Sequence, residues 1–195
     1  MAGKIAYQYG EGLYLNITNK CPNRCAFCVK WPDFTLHGVD LRLEQEPTVD
    51  EIIEACGDVT GYPEVVFCGF GEPTERLETL IETARRLREA GAKRIRLNTS
   101  GQADLIAGKP TVPMLAQMLD AVNVSLNAQE GIVYRNLCRS RYGYEAYAAV
   151  KRFIVDCREA GLDVTASVVR HPDVDVDACR HIAEDELGVK FRARG

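Results

Sequence analysis

The sequence lacks an excess of basic residues, a long apolar run and any tract of low complexity. It has 24 lysines and arginines against 28 acidic residues, for a net charge of −4. This balance argues against sequence-independent nucleic-acid binding, which relies on a basic surface. No apolar segment approaches the length of a membrane span, and the first residues lack the apolar core of a signal peptide. We therefore expect a cytoplasmic protein without membrane contacts.

The chain also lacks a sequence repeat or an internal linker. Its 195 residues are enough for one domain with one sizeable core, so we expect a single domain over residues 1–195. It has eight cysteines, three of them within eight residues. Disulfide frameworks belong to smaller secreted domains. In a reducing compartment, clustered cysteines point instead to a metal site.

Short apolar strands alternate with amphipathic helices along most of the chain. Six strands separated by helices predict a parallel sheet with right-handed crossovers, either an open doubly wound sheet or a barrel. Ligands bind at the carboxyl ends of the strands in both folds. A short N-terminal β-hairpin over about residues 4–17 would include the first of the six. The predicted strands are 13–17, 64–68, 94–98, 121–126, 163–169 and 189–192, and the predicted helices are 49–56, 77–87, 114–119, 145–160 and 176–187.

Three cysteines follow the first strand directly, at positions Cys21, Cys25 and Cys28. Their spacing lets one irregular loop aim three thiolates at one inorganic centre. On a four-iron cluster, three thiolates leave one iron without a protein ligand, and that iron can bind a substrate or cofactor. Spacing alone leaves two alternatives open. One is a zinc site with His37 as its fourth ligand, and the other is three unrelated free thiols.

The C-x₃-C-x₂-C spacing, with Phe27 before the third cysteine, resembles the signature of the radical S-adenosylmethionine (SAM) superfamily. Three further segments agree with that family in order and position: Gly71-Glu72-Pro73 after the second strand, Leu97–Gly101 at the end of the third and Val124–Asn127 at the end of the fourth. The wording LYLNITNKCPNRCAFC, EVVFCGFGEPT, SLNA and LCRSR is most similar to a small subgroup associated with TatD-type metal-dependent hydrolases. The resemblance covers essentially the whole chain.

The resemblance implies an α/β fold, a partial (β/α)₆ TIM-type barrel, with a [4Fe–4S] cluster on Cys21, Cys25 and Cys28. In the implied reaction, SAM chelates the open iron and is split reductively into methionine and a 5′-deoxyadenosyl radical, which abstracts hydrogen from a substrate. No side chain beyond the cluster ligands is assigned a catalytic role. The implied SAM-binding residues are Gly71, Glu72, Pro73, Asn98, Ser125, Asn127 and Arg139.

The segment after the fourth strand is locally basic. In several radical SAM groups an arginine in this region meets the SAM carboxylate, and we expect Arg139 to do so. A spare arginine suits an anionic substrate, and a solvated helix face is the alternative. The basic residues of this segment are Arg135, Arg139, Arg141, Lys151 and Arg152.

The remaining cysteines are dispersed. Cys56, Cys157 and Cys179 lie on apolar helical faces and Cys68 lies in a buried strand, so all four are expected in the core. Cys138 neighbours Arg139 and is either a core residue or a thiol that touches substrate. His171 is interpreted as part of a surface loop or as a contact to adenine or substrate. Trp31 and Phe34 would shield the cluster or pack its loop.

Three classes of function agree with these features. The first is a radical SAM enzyme whose substrate the sequence does not identify, weakly favoured toward nucleic-acid metabolism by the TatD resemblance. The second is an activase that installs a radical on a partner protein. The third is a non-enzymatic zinc or redox-sensing module. The expected partners of the enzyme are SAM, a one-electron reductant such as flavodoxin or ferredoxin, and a TatD-type hydrolase.

Overall fold

The computed structural model describes residues 3–28, 35–36 and 38–195. Trp31, Phe34 and His37, which the sequence singled out, lie outside the described residues. The strands are β1 (Ala6–Tyr9), β2 (Gly12–Leu15), β3 (Thr35–Leu36), β4 (Val39–Asp40), β5 (Val65–Phe67), β6 (Ile95–Thr99), β7 (Ala121–Ser125), β8 (Asp163–Val169) and β9 (Lys190–Arg194). The helices are α1 (Val49–Cys56), α2 (Leu77–Glu89), α3 (Ala103–Ala107), α4 (Val112–Met118), α5 (Gly131–Cys138), α6 (Glu145–Glu159) and α7 (Val176–His181).

Seven strands form one sheet in the order β1-β2-β5-β6-β7-β8-β9, and β3 pairs only with β4. From β2 to β9 all neighbours are parallel, whereas β1 runs antiparallel to β2 as the predicted N-terminal hairpin. Each new strand joins the same side of the one before it. A doubly wound sheet would reverse this order at a switch point. The fold is therefore the partial (β/α)₆ barrel, as predicted.

Local sequence signals account for most of the elements. Thr48 begins α1 with a capping box, in which its hydroxyl accepts from the Glu51 amide and the Glu51 carboxylate accepts from the Thr48 amide. Ile52 and Cys56 then face the core. In α6 the predicted apolar face is buried, including Phe153 and Ile154. Among the described helices, none is both long and apolar enough to cross a membrane.

The structure differs from the sequence-based prediction in several places. The second parallel strand, β5, ends at Phe67, so Cys68 lies beyond it rather than within it. The predicted helix 176–187 divides into α7 and a wider π-helical turn, Ile182–Glu186. The short helices α3 and α5 were not predicted, and α5 opens on Gly131, a residue that weakens a helix signal. These differences matter because Cys68 and α5 border the site.

Candidate functional site

The carboxyl ends of the parallel strands surround a cavity of about 220 Å³. Five of the seven residues predicted to bind cofactor line it, together with all three clustered cysteines. A larger surface groove of about 580 Å³ lies beside α2 and contains none of them. The residues that line the strand-end cavity are Cys21, Asn23, Cys25, Phe27, Cys28, Cys68, Gly69, Gly71, Glu72, Asn98, Thr99, Ser100, Asn123, Ser125, Asn127, Val169 and Arg194.

The cysteine loop is fixed to the end of α5 by its backbone. The Arg24 amide donates to the Cys138 carbonyl at 3.0 Å, and the Ala26 amide donates to the Leu137 carbonyl at 2.8 Å. Carbonyls in the last turn of a helix have no partner within the helix. The loop supplies those partners on both sides of Cys25, so it holds its shape without secondary structure of its own.

The cysteines of this loop are half-buried. Burial raises the pKa of Cys21 to about 12, assisted by the nearby Glu72 carboxylate. A hydrogen bond with the Cys138 thiol, followed by burial, raises the pKa of Cys25. Metal binding must therefore displace protons from these groups. No three His, Cys, Asp or Glu side chains within the described ranges are grouped so as to hold one metal ion, whereas each cysteine of a [4Fe–4S] cluster binds a different iron.

Glu72 is a buried carboxylate, 2% exposed. One oxygen accepts from the Thr99 hydroxyl at 2.7 Å and from the amide and hydroxyl of Thr74, and the other accepts from the Ser100 amide at 2.6 Å. Among the described residues, no lysine, arginine or histidine forms an ion pair with it. Hydrogen bonds alone thus hold this buried charge. A cationic group of a ligand would complete its surroundings.

Gly71 brings Glu72 against the cysteine loop. A Cβ at position 71 would lie 2.1 Å from the carbonyl oxygen of Thr18, so only glycine fits there. The Glu72 amide then donates to the Lys20 carbonyl at 2.8 Å, one residue before Cys21. The glycine of this motif is therefore explained by packing between two strand ends.

The predicted amide and hydroxyl groups of the later strands also reach the cavity. The side chain of Asn98 forms a hydrogen bond with the thiol of Cys68. The Ser125 hydroxyl accepts a hydrogen bond from Arg194 Nη2 at 3.3 Å. Asn127 is 4% exposed and has a left-handed backbone (φ 58°). Its Oδ1 atom and the hydroxyl of Ser100 are buried without a hydrogen-bond partner. The cavity wall therefore offers polar atoms that the protein itself leaves unsatisfied.

Two predicted cofactor residues do not line the cavity. Pro73 is buried and begins a 3₁₀ turn, Pro73–Arg76, which Glu72 caps. Arg139 lies at the end of α5 with a left-handed φ of 47°, and its Nε donates to the carbonyl of Asn136 at 3.3 Å. The structure therefore places Arg139 beside the cavity wall rather than in it.

Arg194 is the arginine that lines the cavity, and sequence reasoning missed it. It lies at the carboxyl end of β9, its Nε is buried without a partner, and burial lowers its pKa. The predicted strand 189–192 stopped two residues too early. With the correct boundary, the rule that ligands bind at the carboxyl ends of parallel strands would have indicated Arg194 as well.

Of the five dispersed cysteines, four are buried and one lines the cavity. Cys56, Cys157 and Cys179 are buried among apolar residues, as predicted. Cys68 was predicted to be a core residue but lines the cavity, because β5 ends one residue before it. Cys138 is fully buried under the cysteine loop.

His171 lies beside the cavity mouth. Its ring centroid is 6.4 Å from that of Phe27, which lines the cavity. His171 is exposed in part, with 28% of its side-chain surface accessible. It is thus a loop residue next to the site.

The residues present fit a cluster and SAM. Three thiols can ligate iron, and the fourth iron site of a [4Fe–4S] cluster would then be free for a ligand. SAM carries an ammonium group, a carboxylate and ribose hydroxyls. Glu72 suits the first, the unpaired Arg194 Nε suits the second, and Ser100 and Asn127 offer polar atoms that suit the third.

Comparisons with known proteins identify the family and the fold. The family model described as the radical SAM superfamily matches residues 15–185. No curated protein matches the chain by sequence.

Solved structures share the fold at low identity. The FeFe-hydrogenase maturase HydG from Carboxydothermus hydrogenoformans has a TM-score of 0.64 and 16% identity over 93% of this chain and 43% of its own. Streptococcus suis SuiB bound to S-adenosylmethionine has a TM-score of 0.62 and 14% identity over 96% and 51%. A radical SAM methyltransferase from Sphaerobacter thermophilus has a TM-score of 0.52 and 18% identity over 97% and 68%. The chain spans about half the length of the first two, and by the family match it belongs to the radical SAM superfamily.

Proposed function

We propose that this chain is a radical SAM enzyme that splits SAM reductively and uses the resulting radical to abstract hydrogen from a substrate. The observation that supports the proposal best is the shared cavity of two unlike groups. The thiols of Cys21, Cys25 and Cys28 lie on one side, and the carboxylate of Glu72, which has no cationic partner in the described structure, lies on another. A site that binds SAM beside a cluster needs metal ligands for the cluster and a carboxylate for the SAM ammonium group.

In this proposal the three cysteines hold the [4Fe–4S] cluster, which supplies the electron for cleavage when it is bound and reduced. Glu72 holds the SAM amino group by a charge-assisted hydrogen bond. Arg194 holds the carboxylate, taking the role that the sequence suggested for Arg139, because Arg194 lines the cavity and Arg139 does not. Ser125 and Asn127 orient the ribose end. Of these groups, Glu72 and Asn127 are buried, which keeps water from competing for their hydrogen bonds.

Several finer assignments rest on the sequence resemblance. The motif wording supports membership of the TatD-associated subgroup, a TatD-type hydrolase as partner and a link to nucleic-acid metabolism. The chemistry of the family supports a flavodoxin or ferredoxin as reductant. The same cleavage step would serve an activase of a partner protein.

Anaerobic reconstitution tests the proposal. The protein should bind about four irons and four sulfides per chain, show iron–sulfur absorbance, and release 5′-deoxyadenosine and methionine from SAM after reduction with dithionite. Zinc binding without iron–sulfur bands would refute it in favour of a zinc module. A cluster that never cleaves SAM would refute the enzymatic assignment alone.

A further inference from the structure

The Cys138 thiol connects the cysteine loop to the cavity wall. It is fully buried at the end of α5, where the Arg24 amide donates to the Cys138 carbonyl at 3.0 Å. Its side chain interacts with that of Cys25, and its sulfur accepts a hydrogen bond from Asn127 Nδ2 at 3.7 Å. One buried thiol therefore lies between a proposed cluster ligand and a residue of the SAM cavity.

The chemistry of the ligand fixes the direction of these hydrogen bonds. A cysteine bound to iron is a thiolate, which accepts hydrogen bonds and donates none. With Cys25 ligated, a hydrogen bond between the two sulfurs would therefore run from the Cys138 S–H to the Cys25 sulfur. Asn127 Nδ2 already donates to the Cys138 sulfur. The three groups would thus form a series of hydrogen bonds with one direction, from the Asn127 side-chain amide through the Cys138 thiol to Cys25.

Asn127 is oriented to donate the first hydrogen bond of this series. Its backbone has φ 58°, and its backbone N–H donates to the carbonyl of Ser167 at 3.2 Å, which ties the turn to β8. With Nδ2 on Cys138, the opposite atom, Oδ1, is buried without a partner in a residue that lines the cavity. A ligand that donates to Oδ1 would polarise the amide and strengthen the hydrogen bonds that follow.

We propose that Cys138 is a positioning residue that tunes the reduction potential of the cluster by donating a hydrogen bond to Cys25, and that Asn127 couples this donor to the ligand in the cavity. The inference rests on the proposed function. A donor to a ligating sulfur stabilises the more negative, reduced cluster and so raises its potential. Asn23 also donates to Cys25, so Cys138 accounts for part of this effect.

The test compares Cys138→Ala, Cys138→Ser and the unmodified protein, each reconstituted anaerobically. The matched control is Cys157→Ala, which also removes a fully buried thiol but on α6, away from the loop. The midpoint potential is measured without SAM by redox titration with electron paramagnetic resonance. We expect Cys138→Ala to lower the potential, Cys138→Ser to keep it at or above the original value because a hydroxyl also donates, and Cys157→Ala to leave it unchanged.

Asn127→Gly provides the second arm, because glycine keeps the left-handed backbone and removes the amide. It should lower the potential in the original background and have no further effect in Cys138→Ala. Fully additive shifts would overturn the coupling, and an equal loss in Cys138→Ser and Cys138→Ala would show packing rather than hydrogen bonding. If the cluster assembles and Cys138→Ala keeps the original potential, this inference alone fails. If no cluster assembles in any protein, the proposed function fails and this inference with it.

Discussion

Replacing Glu72 with glutamine tests the central electrostatic feature of the cavity. The carboxylate accepts four hydrogen bonds, three on one oxygen and one on the other. Glutamine has nearly the same shape but no charge, and its amide group would replace one acceptor. In the better orientation, the glutamine oxygen takes the three donors of Thr74 and Thr99, and its NH₂ group faces the amide of Ser100. The Ser100 amide then loses its acceptor and faces a second donor.

The expected magnitudes differ for folding and binding. Leaving one buried donor unsatisfied costs about 1–3 kcal/mol of unfolding free energy. A hydrogen bond to a charged group contributes about 1.5–3 kcal/mol, so Glu72→Gln should weaken SAM binding by roughly 10-fold to 150-fold. Binding of 5′-methylthioadenosine, which has no amino-acid moiety, should change little. The loss is therefore specific to ligands that carry the ammonium group.

Calorimetric titration of the reconstituted protein with each ligand measures both affinities. Glu64→Gln is the matched control, because Glu64 binds Arg96 at 2.7 Å and does not line the cavity. It should lose stability without losing SAM affinity. A Glu72→Gln protein that stays folded and binds SAM within about twofold of the original affinity would refute the assignment. So would an equal loss of affinity for both ligands.

Three further predictions concern the cysteines, the arginines and acid stability. Cys25→Ala should abolish formation of 5′-deoxyadenosine from SAM by the dithionite-reduced protein, as measured by chromatography. Arg194→Gln should weaken SAM binding by about 10-fold or more in a calorimetric titration, whereas Arg139→Gln should have little effect, because only the former lines the cavity. Hydrogen bonds from Lys190 and Arg94 lower the pKa of Asp163. Its contribution, at most about 1 kcal/mol for so exposed a group, is therefore present above the unfolded-state pKa and lost as pH falls through the folded-state value. Urea unfolding of Asp163→Asn and the original protein should begin to converge below about pH 4 and meet once pH falls below the folded-state pKa.

Each of these predictions has a result that contradicts it. Product formation by Cys25→Ala at the original rate would remove that cysteine from the ligand set, and Cys157→Ala should keep the activity as the control. A larger loss in Arg139→Gln than in Arg194→Gln would restore the sequence-based assignment. A constant difference in stability across the acid range would show that the Asp163 ion pairs do not affect folding.

The parallel sheet and most of the site could be predicted because both depend on local patterns. Short apolar strands alternating with helices predicted a parallel sheet but left its strand order open. The family resemblance then pointed to Glu72, Asn98, Ser125 and Asn127 at the strand ends, which all line the cavity. Packing explains what the pattern missed. Residue 68 reaches the cavity because β5 stops at Phe67, a boundary that the apolar run does not show.

The position of Arg139 depends on α5, which the sequence did not predict. This helix begins at Gly131 and spans eight residues, and tertiary contacts with the cysteine loop satisfy its last carbonyls. Helices this short are marginal in isolation. Without α5 there is no basis for placing Arg139 at a left-handed helix end, nor for seeing that Cys138 lies beneath Cys25.

Under the proposed function, the same packing would link cluster binding to ligand binding. The loop with Cys25 has no secondary structure and takes its shape from the carbonyls at the end of α5. The same helix end carries the Cys138 thiol, which contacts both Cys25 and Asn127. On the opposite side, Gly71 packs on the carbonyl of Thr18 and so holds Glu72 next to the loop. A shift of the cysteine loop would therefore displace an ammonium-binding carboxylate and a ribose-end amide together. Because both are tied to one loop, the proposed electron source and the bond it would break would be positioned by shared contacts rather than by two independent sites.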